Sequence, residues 1–328
     1  MAVNAPVPAE NAWTRVLEAL PAPVRAALRG ISAADGARVH EIRICLGRPI
    51  MVTFAEGDRF VTSAGLSQSE TRAVRADAEM VAAILDALTH SSVYAVEEAM
   101  REGYLSLSGG HRVGLLGELR LRDGRVEGYR RVVGFNIRIN RPVPGAALPV
   151  LPHLIKPGGG LWSTLILSPP GCGKTTLLRD LIRRLSYGDP AHGLRPCRVG
   201  VADERSEIAA CAGGLPQNDL GPRADVLDQC PKRHALAILL RAMGPEVLAT
   251  DEIGHPDDVP AILDAAAAGV TLICTAHGGS VAEIRQRPTL RPLLASGLFE
   301  RLVVLSRRRG PGTVEQVVAL PAAGGGGP

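Results

Sequence analysis

A short apolar run, Leu165-Ile166-Leu167, leads into Ser168-Pro169-Pro170-Gly171-Cys172-Gly173-Lys174-Thr175-Thr176. Leu178, Leu181, Ile182 and Leu185 then recur at helical spacing, and Gly188 and Pro190 stop the helix. Strand, glycine-rich turn and helix N-terminus in this order make an anion cradle. Backbone N–H groups and the helix dipole face a phosphate chain there. In the P-loop pattern Lys174 pairs with the β- and γ-phosphates of ATP, and the Thr175 hydroxyl sits on Mg2+. The pattern asks for Gly at its first position, where this chain has Ser168. Pro169-Pro170-Gly171 can supply the tight turn instead. Cys172, at the start of the helix, is expected to be a reactive thiol that ATP protects from alkylation.

The 328 residues leave room for about two domains, and 46% of them are hydrophobic, enough for sizeable cores. The net charge of +4 comes almost wholly from arginine, since the lysines are Lys156, Lys174 and Lys232. One of so few lysines stands in the P-loop. Aromatic residues make up 3%, which leaves little to stack on bases and counts against nucleic acid as a partner. The six cysteines contain no Cys-x-x-Cys pair and no metal-ligand rhythm, as expected in a reducing cytosol. Met1–Glu10 lacks the basic start and apolar core of a signal peptide. The longest apolar run, Ala265–Ala276, falls short of the ~18 residues that read as a membrane span. These features predict a cytoplasmic protein that reaches a membrane through its partners.

Residues 1–141 read as a mixed α+β domain. Trp13, Val16, Leu17 and Leu20 mark a first helix, and Ile42 and Ile44 alternate within a strand. Met51–Phe54 and Arg59–Thr62 form a hairpin; Val74, Ala78, Val81, Leu85 and Leu88 mark a second helix. A third helix is expected over Val93–Arg101. Gly109-Gly110 and Arg122-Asp123-Gly124-Arg125 mark further hairpins, and Val132–Ile139 a last strand. Residues 142–160, dense in Pro and Gly, read as a linker. Over 161–320 the strands Leu165–Leu167, Arg198–Ala202, Val247–Thr250, Val270–Thr275, Leu302–Leu305 and Val314–Val318 alternate with helices such as Thr175–Ser186, Lys232–Met243 and Val259–Ala268. That alternation predicts an α/β fold with a largely parallel sheet covered on both faces. Residues 321–328 read as a disordered glycine tail.

Three further motifs end apolar strands. Val247-Leu248-Ala249-Thr250-Asp251-Glu252 reads as a Walker B, with Asp251 toward Mg2+ and Glu252 toward the attacking water. Thr271–Gly278 would bring His277 beside the γ-phosphate if its strand neighbours the P-loop strand. Asp203-Glu204-Arg205-Ser206-Glu207 puts acids after another strand, where Glu204 and Glu207 could equally pair with Arg205. Arg223 and Arg241 are candidates for phosphate contact in cis or from a neighbouring subunit, and each could equally form a structural ion pair.

The order Leu239–Val247, Asp251-Glu252, Thr275-Ala276-His277 resembles the secretion and pilus-motor ATPases, with Asp203-Glu204 in the place of their acidic box. A narrower resemblance, over about residues 38–310, is to the stage III sporulation protein AA family of endospore-forming bacteria. It is carried by Ser92–Glu98, Gly109–Gly114, Phe135–Ile139, Asp203–Ile208 and Arg223–Asp228. The resemblance implies a RecA-like P-loop ATPase core behind a smaller α+β domain, working as a homo-oligomeric, hexameric ring. It also implies a motor that energises a membrane-embedded channel or export protein. Secretion ATPases usually carry Gly where this chain has Asp251, which leaves open whether Glu252 or Glu204 acts on water. Glu252 is the preferred choice, since it adjoins the magnesium-linked Asp251. The rival readings are a nucleic-acid-stimulated RecA-like ATPase and a nucleotide-binding assembly protein without turnover.

Overall fold

The computed structural model describes residues 9–89, 100–101, 103–107, 109–211 and 214–321. The expected third helix and the glycine tail lie almost wholly outside them. The chain divides into two compact units, Met1–Pro142 with Ala210–Gln217, and Val143–Ala209 with Asn218–Pro328.

The first unit opens with α1 (Ala9–Ala19), α2 (Ala22–Leu28) and α3 (Ala33–Gly36). β1 (Glu41–Cys45), β2 (Met51–Phe54), β3 (Gly57–Thr62), β4 (Gly65–Ser67), α4 (Ala78–Thr89), β5 (Tyr104–Leu107), β6 (His111–Arg122) and β7 (Arg125–Arg138) follow. The strands form one sheet in the order β4-β3-β2-β1-β7-β6-β5, every neighbour antiparallel. Alternation along β1 buries Ile42 and Ile44 with Val52, Val113, Phe135 and Ile137, beneath Val16, Leu20, Val24, Leu28, Ile84 and Leu88. Each large apolar side chain fully buried in this way contributes ~1.5–3 kcal/mol. Helix packing is close enough to specify a glycine: a methyl group on Gly36 would lie 2.4 Å from the Trp13 ring. The β6–β7 turn takes Asp123 and Gly124 to positive φ, as the Asp-Gly pair predicts.

His111, at the start of β6, is buried. Its Nδ1 accepts the Asn140 N–H at 3.1 Å, so the neutral ring carries its proton on Nε2. Burial foremost, with Arg141 and Arg15 nearby, lowers its pKa from 6.5 to about 4. The unfolded chain therefore takes up a proton between these values while the fold resists it. Stability present above pH 6.5 should be lost as pH falls toward about 4, by ~3 kcal/mol in all. Urea unfolding across this range should show that slope, and His111→Gln should flatten it. An NMR titration placing the His111 pKa near 6.5 would remove the prediction.

The second unit contains α5 (Leu151–Leu154), β8 (Thr164–Ser168), α6 (Lys174–Tyr187), β9 (Val199–Asp203), β10 (Ala224–Asp228), α7 (Lys232–Ala242) and β11 (Val247–Thr250). It continues through α8 (Asp258–Ala267), β12 (Thr271–His277), α9 (Val281–Gln286), α10 (Arg291–Ala295), β13 (Arg301–Ser306) and β14 (Thr313–Ala319). The sheet order is β10-β9-β11-β12-β8-β13-β14. The sheet is mixed: β13–β14 pair antiparallel, and the other neighbours pair parallel. β8, β9 and β11 are buried at every residue, which is why they read as continuous apolar runs.

One expectation needs correction. Residues 143–160 do not bridge the units; they belong to the second one, where Ala147, Val150, Leu151 and Leu154 are buried. Gly145 and Ala147 donate backbone N–H bonds to Asp180 of α6, at 3.1 and 2.9 Å. Scattered apolar residues anchor a Pro-rich stretch that composition alone makes look loose. The edge strand β10 has no counterpart among the expected strands, because with Asp225 exposed it has no apolar run to mark it.

Candidate functional site

The order of the sheet assembles the site. β12 lies between β8 and β11, so the carboxyl ends of these parallel strands bring the P-loop, His277 and Asp251-Glu252 together. Ser168 is still in β8, opposite His277, and its hydroxyl donates to the Pro169 carbonyl at 2.8 Å. Positive φ occurs instead at Gly171 (68°) and Gly173 (91°), so the first position has no need of glycine. Lys174, Thr175 and Thr176 open α6 directly after this turn.

Lys174 is 5% exposed, with Nζ 3.3 Å from His277 Nδ1 and 3.7 Å from Glu252 Oε1. His277 Nε2 meets the same Glu252 oxygen at 2.8 Å, while Arg205 pairs with Oε2. Glu252 therefore joins three cationic or donor groups at the mouth of the P-loop. Its backbone is held in the left-handed region at φ 47°, with its N–H shared between Asp251 Oδ1 and Thr275 Oγ1, both at 2.9 Å. A non-glycine residue there costs ~1–3 kcal/mol, which neighbouring contacts must offset. Asp251 accepts hydrogen bonds from Thr175 Oγ1 at 2.7 Å and from Thr275 Oγ1.

The Thr175 hydroxyl and the Asp251 carboxylate are hard oxygen donors side by side, which suits Mg2+. Among the described residues no group of three or more His, Cys, Asp or Glu could hold a metal. An ion here would draw its remaining oxygens from phosphates and water.

The acids after β9 have partners of their own. Asp203 is buried and accepts the N–H groups of Glu207, Ile208 and Ala209 at 2.7–3.0 Å, organising the loop. Burial raises its pKa to about 6 despite these bonds. Arg179 of α6 donates to the Ile208 and Glu207 carbonyls at 2.9 and 2.8 Å, tying that loop to the P-loop helix. Glu204 pairs with the buried Lys232, not with Arg205. Arg205 instead belongs to Glu252.

Arg223 precedes β10 and Arg241 ends α7, so both lie at the amino end of the parallel strands, opposite the P-loop. Arg223 donates to the Ser186 carbonyl at 2.8 Å, at the far end of α6, and Arg241 to the Ala237 carbonyl at 3.1 Å. Contact with phosphates of their own chain, one of the expected options, is excluded by this placement.

Cys172 departs from expectation for a simple reason: it is 1% exposed, with Sγ turned toward the Pro170 carbonyl. A buried thiol cannot meet an alkylating agent, whatever the helix dipole does. Maleimide labelling should start at the partly exposed Cys45 and Cys230, with Cys172 slow with or without ATP. Peptide mapping after brief labelling checks this, and first modification at Cys172 would restore the original expectation.

Two members of the site were not legible in sequence. Thr275 and Arg205 take their roles from strand order and loop course. The Arg307-Arg308-Arg309 turn adjoins the P-loop because β13 flanks β8. Three consecutive arginines before Gly-Pro-Gly were the available signal, without meaning until the neighbouring strand is known.

Known structures share the fold. The Yersinia pseudotuberculosis ATPase DotB aligns over 86% of this chain and 76% of its own, with a TM-score of 0.55 and 14% identity. The pilus retraction motor PilT, solved with bound ADP, aligns over 81% of this chain and 74% of its own, with a TM-score of 0.51 and 16% identity. These likenesses are of fold. In sequence, the stage III sporulation protein AA of Bacillus subtilis (strain 168) is 41% identical over 303 residues, covering 92% of this chain and 94% of that one. The family described as Sporulation stage III, protein AA matches residues 11–320, and the chain belongs to that family.

Proposed function

We propose that the chain is an Mg2+-dependent ATPase motor, with a RecA-like core over 161–320 behind an α+β domain over 1–141, that energises a membrane-associated channel or export complex in sporulation. The observation that carries this reading is the convergence of Lys174, His277 and Glu252 on one point beside the P-loop, with Thr175 and Asp251 adjoining. Lys174 would exchange Glu252 for the β- and γ-phosphates. Glu252, released from the lysine but still backed by Arg205 and His277, would orient and deprotonate the attacking water. His277 would respond to the γ-phosphate through the nitrogen that now faces Lys174. Thr175 and Asp251 would hold Mg2+, which when bound neutralises charge on the phosphates.

The motor reading implies a homo-oligomeric, hexameric ring in which an arginine, Arg223 or Arg241, serves a neighbouring subunit's site. Its partner would be a membrane-embedded channel or export protein. Among the described residues no helix is long and apolar enough to cross a membrane. Phosphate release from ATP by the purified chain should require Mg2+, and mass measurement should show ATP-dependent assembly. Binding without turnover would leave an assembly protein, and stimulation by single-stranded DNA would favour a nucleic-acid motor.

A further inference from the structure

We infer that Arg307 is a nucleotide-binding residue, contacting the α-phosphate or the ribose hydroxyls rather than the terminal phosphate. This rests on the P-loop being a nucleotide site. β8 has two flanks. On the β12 flank stand His277, Glu252, Asp251 and Thr275, around the Lys174 ammonium that addresses the terminal phosphates. On the other flank, β13 delivers residues 306–312 directly against the loop. Gly312 donates its N–H to the Cys172 carbonyl at 2.9 Å, and a methyl group on Gly173 would come within 3.2 Å of that same nitrogen. The Arg307 guanidinium reaches across to the Gly171 carbonyl at 3.4 Å, and a methyl group on Gly171 would lie 3.2 Å from it.

A phosphate chain whose end lies beside Lys174 and Glu252, on the β12 flank, would have its other end toward the β13 flank, where Arg307 stands. The side chain is exposed, and 3.4 Å to a carbonyl is a long, weak bond that an anion can replace with a shorter charge-assisted one. The adjoining Arg308 differs, since Glu315 holds its Nε and Nη2 at 3.1 and 3.2 Å. Arg309 is anchored through its backbone N–H to Thr313 Oγ1 at 3.2 Å, which shapes the turn.

The test is direct binding of ATP and of ADP to the full chain, with Arg307→Ala, Arg307→Lys and Arg308→Ala beside the wild type. Loss of a charge-assisted contact to a group shared by both nucleotides should raise both Kd values by about tenfold or more, to the same extent. Arg307→Lys should recover part of the loss, and Arg308→Ala should bind as the wild type does. Thermal unfolding without nucleotide should be alike in all four proteins, which separates a lost contact from a lost turn. The inference is overturned if Arg307→Ala binds normally, or loses ATP but keeps ADP. It is also overturned if Arg308→Ala weakens binding equally, because a general field effect would then account for the result. Failure of the wild type to bind either nucleotide would instead overturn the nucleotide site itself.

Discussion

Lys174→Ala is expected to raise the Kd for ATP by ~10²-fold or more, since two charge-assisted phosphate contacts of ~1.5–3 kcal/mol each are lost. The fold should survive. Lys174 is nearly buried, but its partners do not depend on it alone: Glu252 keeps Arg205 and His277, and α6 keeps Leu178, Leu181, Ile182 and Leu185 in the core. Titration calorimetry with ATP, beside thermal unfolding of the free protein, separates the two effects. Tight binding by the folded variant would sink the assignment of the P-loop. An unfolded variant would be replaced by Lys174→Met, which keeps the buried stem and drops the charge.

Glu252→Gln is expected to leave ATP binding intact while hydrolysis falls by ~10²-fold or more, the scale of a lost general base. Binding should if anything tighten, because the carboxylate that holds Lys174 in the free protein is gone. Any ring should then be trapped in its ATP state. Glu204→Gln should give a milder loss, because Glu204 is held by Lys232, whereas Glu252 is the carboxylate that meets Lys174 and His277. Single-turnover hydrolysis by the two variants decides between them. Near-normal turnover by Glu252→Gln with a deep loss in Glu204→Gln would reverse the roles and favour the chemistry implied by the acidic box of the secretion motors.

The sequence by itself determined the local parts of this protein. An apolar run, a turn rich in Gly and Pro, and a 3.6-residue periodicity were enough to read β8, the P-loop and α6, because each depends on contacts between near neighbours in the chain. Asp251-Glu252 and His277 were legible for the same reason, as polar residues ending buried strands. The partners of these residues were not. Adjacency in sequence offers Glu204 and Glu207 as partners for Arg205, yet Arg205 reaches Glu252 in another loop, and Glu204 turns to Lys232. The helix end predicts a reactive Cys172, and packing hides it. Arg307 carried no meaning until β13 was seen to flank β8. An ion pair or a hydrogen bond acts over a few ångströms of space, and strand order, which arises from packing of the whole sheet, decides which distant residues come that close.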